Sequence, residues 1–174
     1  MNALIVYHTI TGHTRRAAGD IAEGLSGEGV AAKLVPAGEM AQWDLGGTDI
    51  VVVGSPCHAG SLAIRAGVAG PILGALNKLT GSTLAGTVAG AFAVNSAYGG
   101  RRTVRAIENC LRAAGASVPA PGVVVKAGVP LSLFTGPMAS QKSRDELRQL
   151  GRTLAQAAKA GGKRADYGRC VLGL

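Results

Sequence analysis

Thr9-Ile10-Thr11-Gly12-His13-Thr14 is the stretch on which the reading of the fold turns. Ahead of it, Ala3-Leu4-Ile5-Val6-Tyr7 is a short, β-rich apolar run without polar alternation, the pattern of a strand buried on both faces. Behind it, Ala17, Ala18, Ile21, Ala22 and Leu25 recur at three- and four-residue spacing, the period of a helix with one buried face. Gly12 lets the backbone turn tightly from one to the other. A strand, a hydroxyl-rich turn and a helix together suit a phosphate. The first amides of a helix have no internal acceptor and lie at the positive end of its dipole, and the hydroxyls of Thr9, Thr11 and Thr14 add donors beside them. An ordinary N-cap needs one hydroxyl, so three threonines around one glycine exceed what capping requires.

Outward from this stretch, strands and helices alternate. Val30 to Val35 reads as strand two, closed by Pro36, and Asp49-Ile50-Val51-Val52-Val53-Gly54 is the most strand-like run of the chain. Ser55-Pro56-Cys57-His58-Ala59-Gly60-Ser61 reads as a loop after it, and a helix is predicted from about Ala69 to Leu79. Val88 to Val94 is strand four, followed by the loop Asn95-Ser96-Ala97-Tyr98-Gly99-Gly100 and a helix with Val104, Ile107, Leu111 and Ala114 on its buried face. Val118 to Val125, interrupted by Pro119 and Pro121, reads as an edge strand, and a last helix from near Ser140 buries Leu147, Leu150, Leu154 and Ala157. Such alternation implies parallel strands with right-handed crossovers, hence an α/β three-layer α/β/α sandwich around a five-stranded parallel sheet. With the order 2-1-3-4-5, a ligand sits beyond the strand C-termini between strands one and three, where the three unusual loops all fall.

Two nucleotide fingerprints are absent: the chain has neither G-x-x-x-x-G-K-[ST] nor G-x-G-x-x-G after its first strand. Receiver domains use the same strand order, but they need acidic residues after strand one and an aspartate ending strand three, where this chain has Tyr7-His8 and Gly54-Ser55. The stretch Thr9 to Thr14 resembles the T/S-x-T-G-x-T phosphate loop of the flavodoxin family, and Gly54-Ser55-Pro56 with Gly60 and Tyr98-Gly99-Gly100 resemble its other two loops. The resemblance implies FMN as cofactor, with its phosphate held by Thr9, Ile10, Thr11, Gly12, His13 and Thr14. It places the isoalloxazine ring between Ser55, Pro56, Cys57, His58, Ala59 and Gly60 on one side and Asn95, Ser96, Ala97, Tyr98, Gly99 and Gly100 on the other. The expected function is electron transfer by an FMN-binding flavodoxin-like protein. The alternative is an NAD(P)H-dependent FMN or quinone reductase, with Arg101 and Arg102 meeting the nucleotide phosphates.

Two features depart from the family's pattern. Aromatic residues are scarce, and only Tyr98 lies in a ring loop. Acidic residues are missing altogether between Asp49 and Glu108, an interval that carries Arg65, Arg101, Arg102 and Arg105. One unit charge about 10 Å away at an effective dielectric near 40 is worth roughly 0.8 kcal/mol, so this setting favours negative charge on a reduced ring and steers acidic redox partner proteins to it.

At 174 residues and 47% hydrophobic, with a net charge of +8, the chain suits one domain with a core of Ala, Val, Leu and Ile and a short basic C-terminal tail from about residue 161. Between Gln141 and Arg169 eight basic residues face three acidic ones, the pattern of a solvated helix face. A nucleic-acid surface would interleave aromatics with these cations, and only Tyr167 is present, so no nucleic-acid partner is expected. The chain opens on a strand, without a basic leader, and has no apolar run of about 18 residues, so the expectation is a cytoplasmic protein with no membrane partner. Cys57, Cys110 and Cys170 fit reduced thiols. His8, His13 and His58 lack a regular metal-ligand spacing, and no metal is expected. The stretch from Ala127 to Pro137 alternates Val129, Leu131, Leu133 and Phe134 between glycine and proline, and is expected to form an apolar lip beside the ring site.

Overall fold

A computed structural model describes residues 1–42, 45, 47–57, 67–79, 83–95, 99–126 and 140–169, apart from the side chains of 40–42 and 162–169. Strands β1 (Asn2–Tyr7), β2 (Ala31–Pro36), β3 (Ile50–Pro56), β4 (Val88–Asn95) and β5 (Val123–Lys126) alternate with helices α1 (His13–Ser26), α2 (Gly70–Leu76), α3 (Gly100–Ala113) and α4 (Gln141–Arg169). A 3-10 turn over Ala37–Gln42 follows β2. All neighbouring strands are parallel, in the order β2-β1-β3-β4-β5.

The sheet is apolar on both faces because each face carries helices. On one, Ile5, Tyr7, Ile50, Val52 and Phe92 pack against Ile21 and Leu25 of α1 and Leu147 and Leu154 of α4. On the other, Val6, Val51, Val53 and Ala91 meet Ile72 and Leu76 of α2 and Ile107 and Leu111 of α3. Gly54 leaves the space that the Phe92 ring on the neighbouring strand occupies; a Cβ there would fall inside the ring.

The structure corrects two boundaries. Ser55 and Pro56 belong to β3, paired with Ala93 and Val94, although the sequence reads as a loop from Ser55 onward. Proline is tolerated because β1 has already ended opposite Gly54, so this last part of the central strand has a partner on one side only. Strand β5 is four residues long and starts after both prolines; upstream of it Ser117 makes only an isolated bridge to Val88. The backbone from 161 to 169 continues α4, so the segment expected as a tail is helical there. The apolar stretch 127–137 lies outside the described residues, as do Trp43 and Arg65.

Helices α1 and α4 approach closely enough to require glycine at the crossing. A Cβ on Gly24 would strike the backbone of Arg148, and one on Gly151 the backbone of Ile21 and Leu25. An ion-pair seam runs alongside, with Asp20 to Arg144 at 3.2 Å, Glu23 to Arg148 at 2.7 Å and Glu28 to Lys159 at 2.9 Å. Lys159 and Gln156 hold the Glu28 carboxyl below the usual carboxylate range by hydrogen bonding to it, and Glu23 raises the pKa of Arg148 in the same way. Gly24→Val should therefore destabilise the fold by about 3 kcal/mol, the upper part of the overpacking range, as backbone cannot move aside like a side chain. Gly19→Ala, on the same helix with open space around its Cβ position, should instead stabilise by about 0.5–1 kcal/mol. Urea unfolding of both variants checks the pair; equal effects would refute the close crossing.

Candidate functional site

Three chain segments leave the C-terminal edge of the sheet around the switch point between β1 and β3. The first is 8–12. Gly12 adopts φ +84°, a left-handed conformation that glycine enters without strain, and so brings the chain directly into α1. Its N–H donates to Thr9 Oγ1 at 2.9 Å, and its carbonyl accepts the Arg16 N–H at 3.1 Å. The three hydroxyls thus differ in role. Thr9 shapes the turn, Thr11 stands exposed beside it, and Thr14, 2% exposed, sits in the first turn of α1. Among the described residues no side chain caps α1, and no acidic residue lies in its first turn, so its leading amides stand uncapped at the positive end of the dipole. Ile10, 72% exposed, presents an apolar side chain in the same turn.

The second segment starts at the end of β3. Ser55 is buried; its Oγ accepts the Ala69 N–H at 2.9 Å and donates to the Pro56 carbonyl at 2.8 Å. The Cys57 N–H donates to the Val94 carbonyl at 2.8 Å, and Cys57 forms an antiparallel bridge with Val68. The chain that leaves at Cys57 therefore returns at Gly67 and Val68 through a closed neck. His58, Ala59 and Gly60, within that excursion, lie outside the described residues.

The third segment joins β4 to α3. Asn95 is 5% exposed and, among the described residues, its buried Oδ1 has no hydrogen-bond partner. Ser96, Ala97 and Tyr98 lie outside the described residues. Gly99 adopts φ +94° and opens α3, where the Thr103 N–H donates to its carbonyl at 3.0 Å. Among the described residues no side chain caps this helix either, and no acid lies in its first turn; Arg101, Arg102 and Arg105 are exposed along it instead. Glu108, the first carboxylate after Asp49, is turned inward to the Gly122 N–H at 2.7 Å.

One feature had no signature in the sequence. A cavity of about 200 Å³ opens between α1, the ends of β4 and β5 and the start of α4, floored by Val94 and Val125 and rimmed by His13, Arg16, Lys126 and Arg144. Its lining comes from four elements far apart in the chain, which local spacing does not bring together. Of the residues expected at the site, those of the first loop, Ser55, Pro56, Cys57, Asn95, Gly99 and Gly100 are brought to one edge of the sheet.

A family model described as Flavodoxin matches residues 5–134. No curated protein matches the chain. Among solved structures, the chain is similar to rubredoxin oxygen:oxidoreductase from the anaerobe Desulfovibrio gigas, with TM-score 0.75 and 21% identity over 92% of this chain, and it spans 36% of that longer protein. A short-chain flavodoxin associated with a non-canonical PDU bacterial microcompartment gives TM-score 0.69 and 20% identity, over 91% of this chain and 99% of the other. A flavodoxin, WrbA-like protein from Agrobacterium tumefaciens gives TM-score 0.71 and 16% identity, over 92% and 98%.

Proposed function

Because the chain belongs to the flavodoxin family, whose cofactor is FMN, we propose that it carries electrons between redox partner proteins in the cytoplasm as a single flavin-binding domain. The observation that carries this reading is the uncapped, acid-free N-terminus of α1 behind Gly12, with Thr11 and Thr14 in reach of it. In this reading the six residues Thr9 to Thr14 hold the phosphate, and the segments Ser55 to Gly60 and Asn95 to Gly100 hold the ring. The unpartnered Asn95 Oδ1 fits a ligand that presents an N–H donor, as the ring's pyrimidine edge does. When bound there, FMN supplies electron transfer through its ring, and the protein supplies orientation and field. Exposed Arg101, Arg102 and Arg105, in an interval without a carboxylate from Asp49 to the buried Glu108, favour negative charge on the ring and the approach of an acidic partner. Ile10 offers that partner an apolar contact at the edge of the site.

A reductase reading rests on a different observation. The second uncapped helix N-terminus, that of α3, carries Arg101 and Arg102 in its first turn and suits the phosphates of a nicotinamide nucleotide. The visible spectrum of the FMN-loaded protein under anaerobic NADPH separates the two. A carrier stays yellow with NADPH and bleaches with dithionite; a reductase bleaches with NADPH alone. A chain that takes up no FMN on reconstitution would overturn both.

A further inference from the structure

Val94 and Val125, buried residues of neighbouring strands, floor the cavity between α1 and α4, and the buried Ala17 of α1 adds to its wall. An apolar cavity of about 150 Å³ accommodates a benzene ring, so about 200 Å³ holds one ring with a small polar group. The charges around it do not cancel. Arg16, Lys126 and Arg144 stand against two carboxylates, Asp20 and Glu23. Both carboxylates are already engaged by α4: Asp20 lies 3.2 Å from Arg144 and 3.7 Å from Arg148, and Glu23 lies 2.7 Å from Arg148. Among the described residues Arg16 and Lys126 have no ion-pair partner, and both are exposed at the rim. The cavity also extends away from the amides that open α1. Its lining follows that helix from His13 to Glu23, a rise of about 15 Å.

We propose that this cavity binds a small aromatic carboxylate, its ring on Val94 and Val125 and its single charge between Arg16 and Lys126. The ring gains by leaving water for the valine floor, in proportion to the apolar area covered. The carboxylate stays at the mouth, close to solvent, where the Arg16 guanidinium offers it a planar pair of donors. With three cations against two carboxylates, the lining carries one excess positive charge, which suits a monoanion. Inorganic phosphate has no apolar part for the floor, and its second charge would meet Asp20 and Glu23. The ligand class thus follows from an apolar floor under a cationic mouth, and it stands independently of the flavin assignment.

The test titrates benzoate into the protein in excess FMN, with benzyl alcohol as a neutral ring of similar shape and acetate as the charge without a ring. Benzoate should bind about tenfold more tightly than either control, because only it uses both floor and mouth. Arg16→Gln with Lys126→Gln alters two exposed side chains and should weaken benzoate about tenfold while leaving benzyl alcohol unchanged. Gly19 lines the cavity, and a Cβ there meets nothing within 4 Å, so Gly19→Leu is admitted without a clash and narrows the space. It should weaken benzoate and benzyl alcohol alike. Thermal unfolding of each variant verifies that it is folded. Benzoate that fails to saturate the parent below about 10 mM, or that binds both variants as it binds the parent, overturns the assignment. Benzoate that displaces FMN overturns it too, because the acid then occupies the flavin site. A protein that takes up no FMN, yet shows these benzoate affinities and variant effects, defeats the FMN reading and leaves the cavity's assignment supported.

Discussion

Replacing Thr11 and Thr14 together by valine should weaken FMN binding by about two to four orders of magnitude while leaving riboflavin binding nearly unchanged. Valine has almost the shape of threonine, so the substitution removes two hydroxyls and little else. Each hydrogen bond to a charged group is worth about 1.5–3 kcal/mol, and a tenfold change in affinity corresponds to about 1.4 kcal/mol. The two hydroxyls are not equivalent. Thr14 is buried in the first turn of α1, so its loss also leaves the phosphate facing an apolar methyl in a confined space; Thr11 is exposed, and water replaces part of what it gives. Thr14→Val alone should therefore have the larger single effect. Thr9→Val acts differently. Its Oγ1 accepts the Gly12 N–H, so its removal disturbs the turn before any ligand arrives and should lower apoprotein stability by about 1 kcal/mol as well. Flavin fluorescence titration and urea unfolding measure these quantities. Equal losses of FMN and riboflavin in the double variant would show that the loop does not hold the phosphate.

This loop was legible in the sequence because its chemistry lies in consecutive residues: a glycine that turns the chain, hydroxyls on both sides and a helix behind. The order of strands was legible for a related reason, since alternation of apolar runs with helical periods leaves few arrangements once crossovers are right-handed. The limits appear where a property depends on residues far apart. Ser55 and Pro56 read as loop because proline argues against a central strand, yet β1 stops opposite Gly54 and relieves Pro56 of a partner on that side. Nothing near residue 55 signals where β1 ends. The close crossing at Gly24 and Gly151 joins positions more than a hundred residues apart, and the cavity rimmed by His13 and Arg144 is likewise lined by residues of α1, β4, β5 and α4 that are distant in sequence. Likewise, Cys57, Gly67 and Gly99 carry no common motif; only the return of the chain through the Cys57 and Val68 bridge brings them together. Thr9, Thr11 and Thr14 looked alike as donors, and it took the hydrogen bond to Gly12 to separate the one that builds the turn from the other two.

Oxidation of the reduced, FMN-loaded protein by ferricyanide should slow at least tenfold between about 0.01 M and 0.5 M salt, whereas oxidation by hexaamminecobalt(III) should speed up over the same range. The argument begins with the sign of the local field. No carboxylate occurs between Asp49 and Glu108, and Glu108 is buried against the Gly122 N–H, so this interval of the chain places no exposed negative charge beside the exposed arginines in the first two turns of α3. At a distance of about 10 Å and an effective dielectric near 40, each is worth roughly 0.8 kcal/mol on a unit charge, and an anion carrying several charges feels correspondingly more. Screening sets the salt range: the Debye length is about 30 Å at 0.01 M, longer than these separations, and about 3 Å at 1 M, shorter than all of them. The anionic oxidant is attracted at low salt and released at high salt; the cationic oxidant is repelled at low salt and admitted at high salt. Neutralising Arg101, Arg102 and Arg105 together to glutamine should remove most of both slopes without changing the high-salt rates, because those rates report the chemistry of contact and not the approach. The net charge of +8 supplies a weaker background field that the triple variant retains in part, so a residual slope of the same sign is expected. Slopes of equal sign for the two oxidants in the parent protein, or parental slopes in the triple variant, would show that the start of α3 does not govern access to the flavin, and the case for an acidic partner docking there would fall with it.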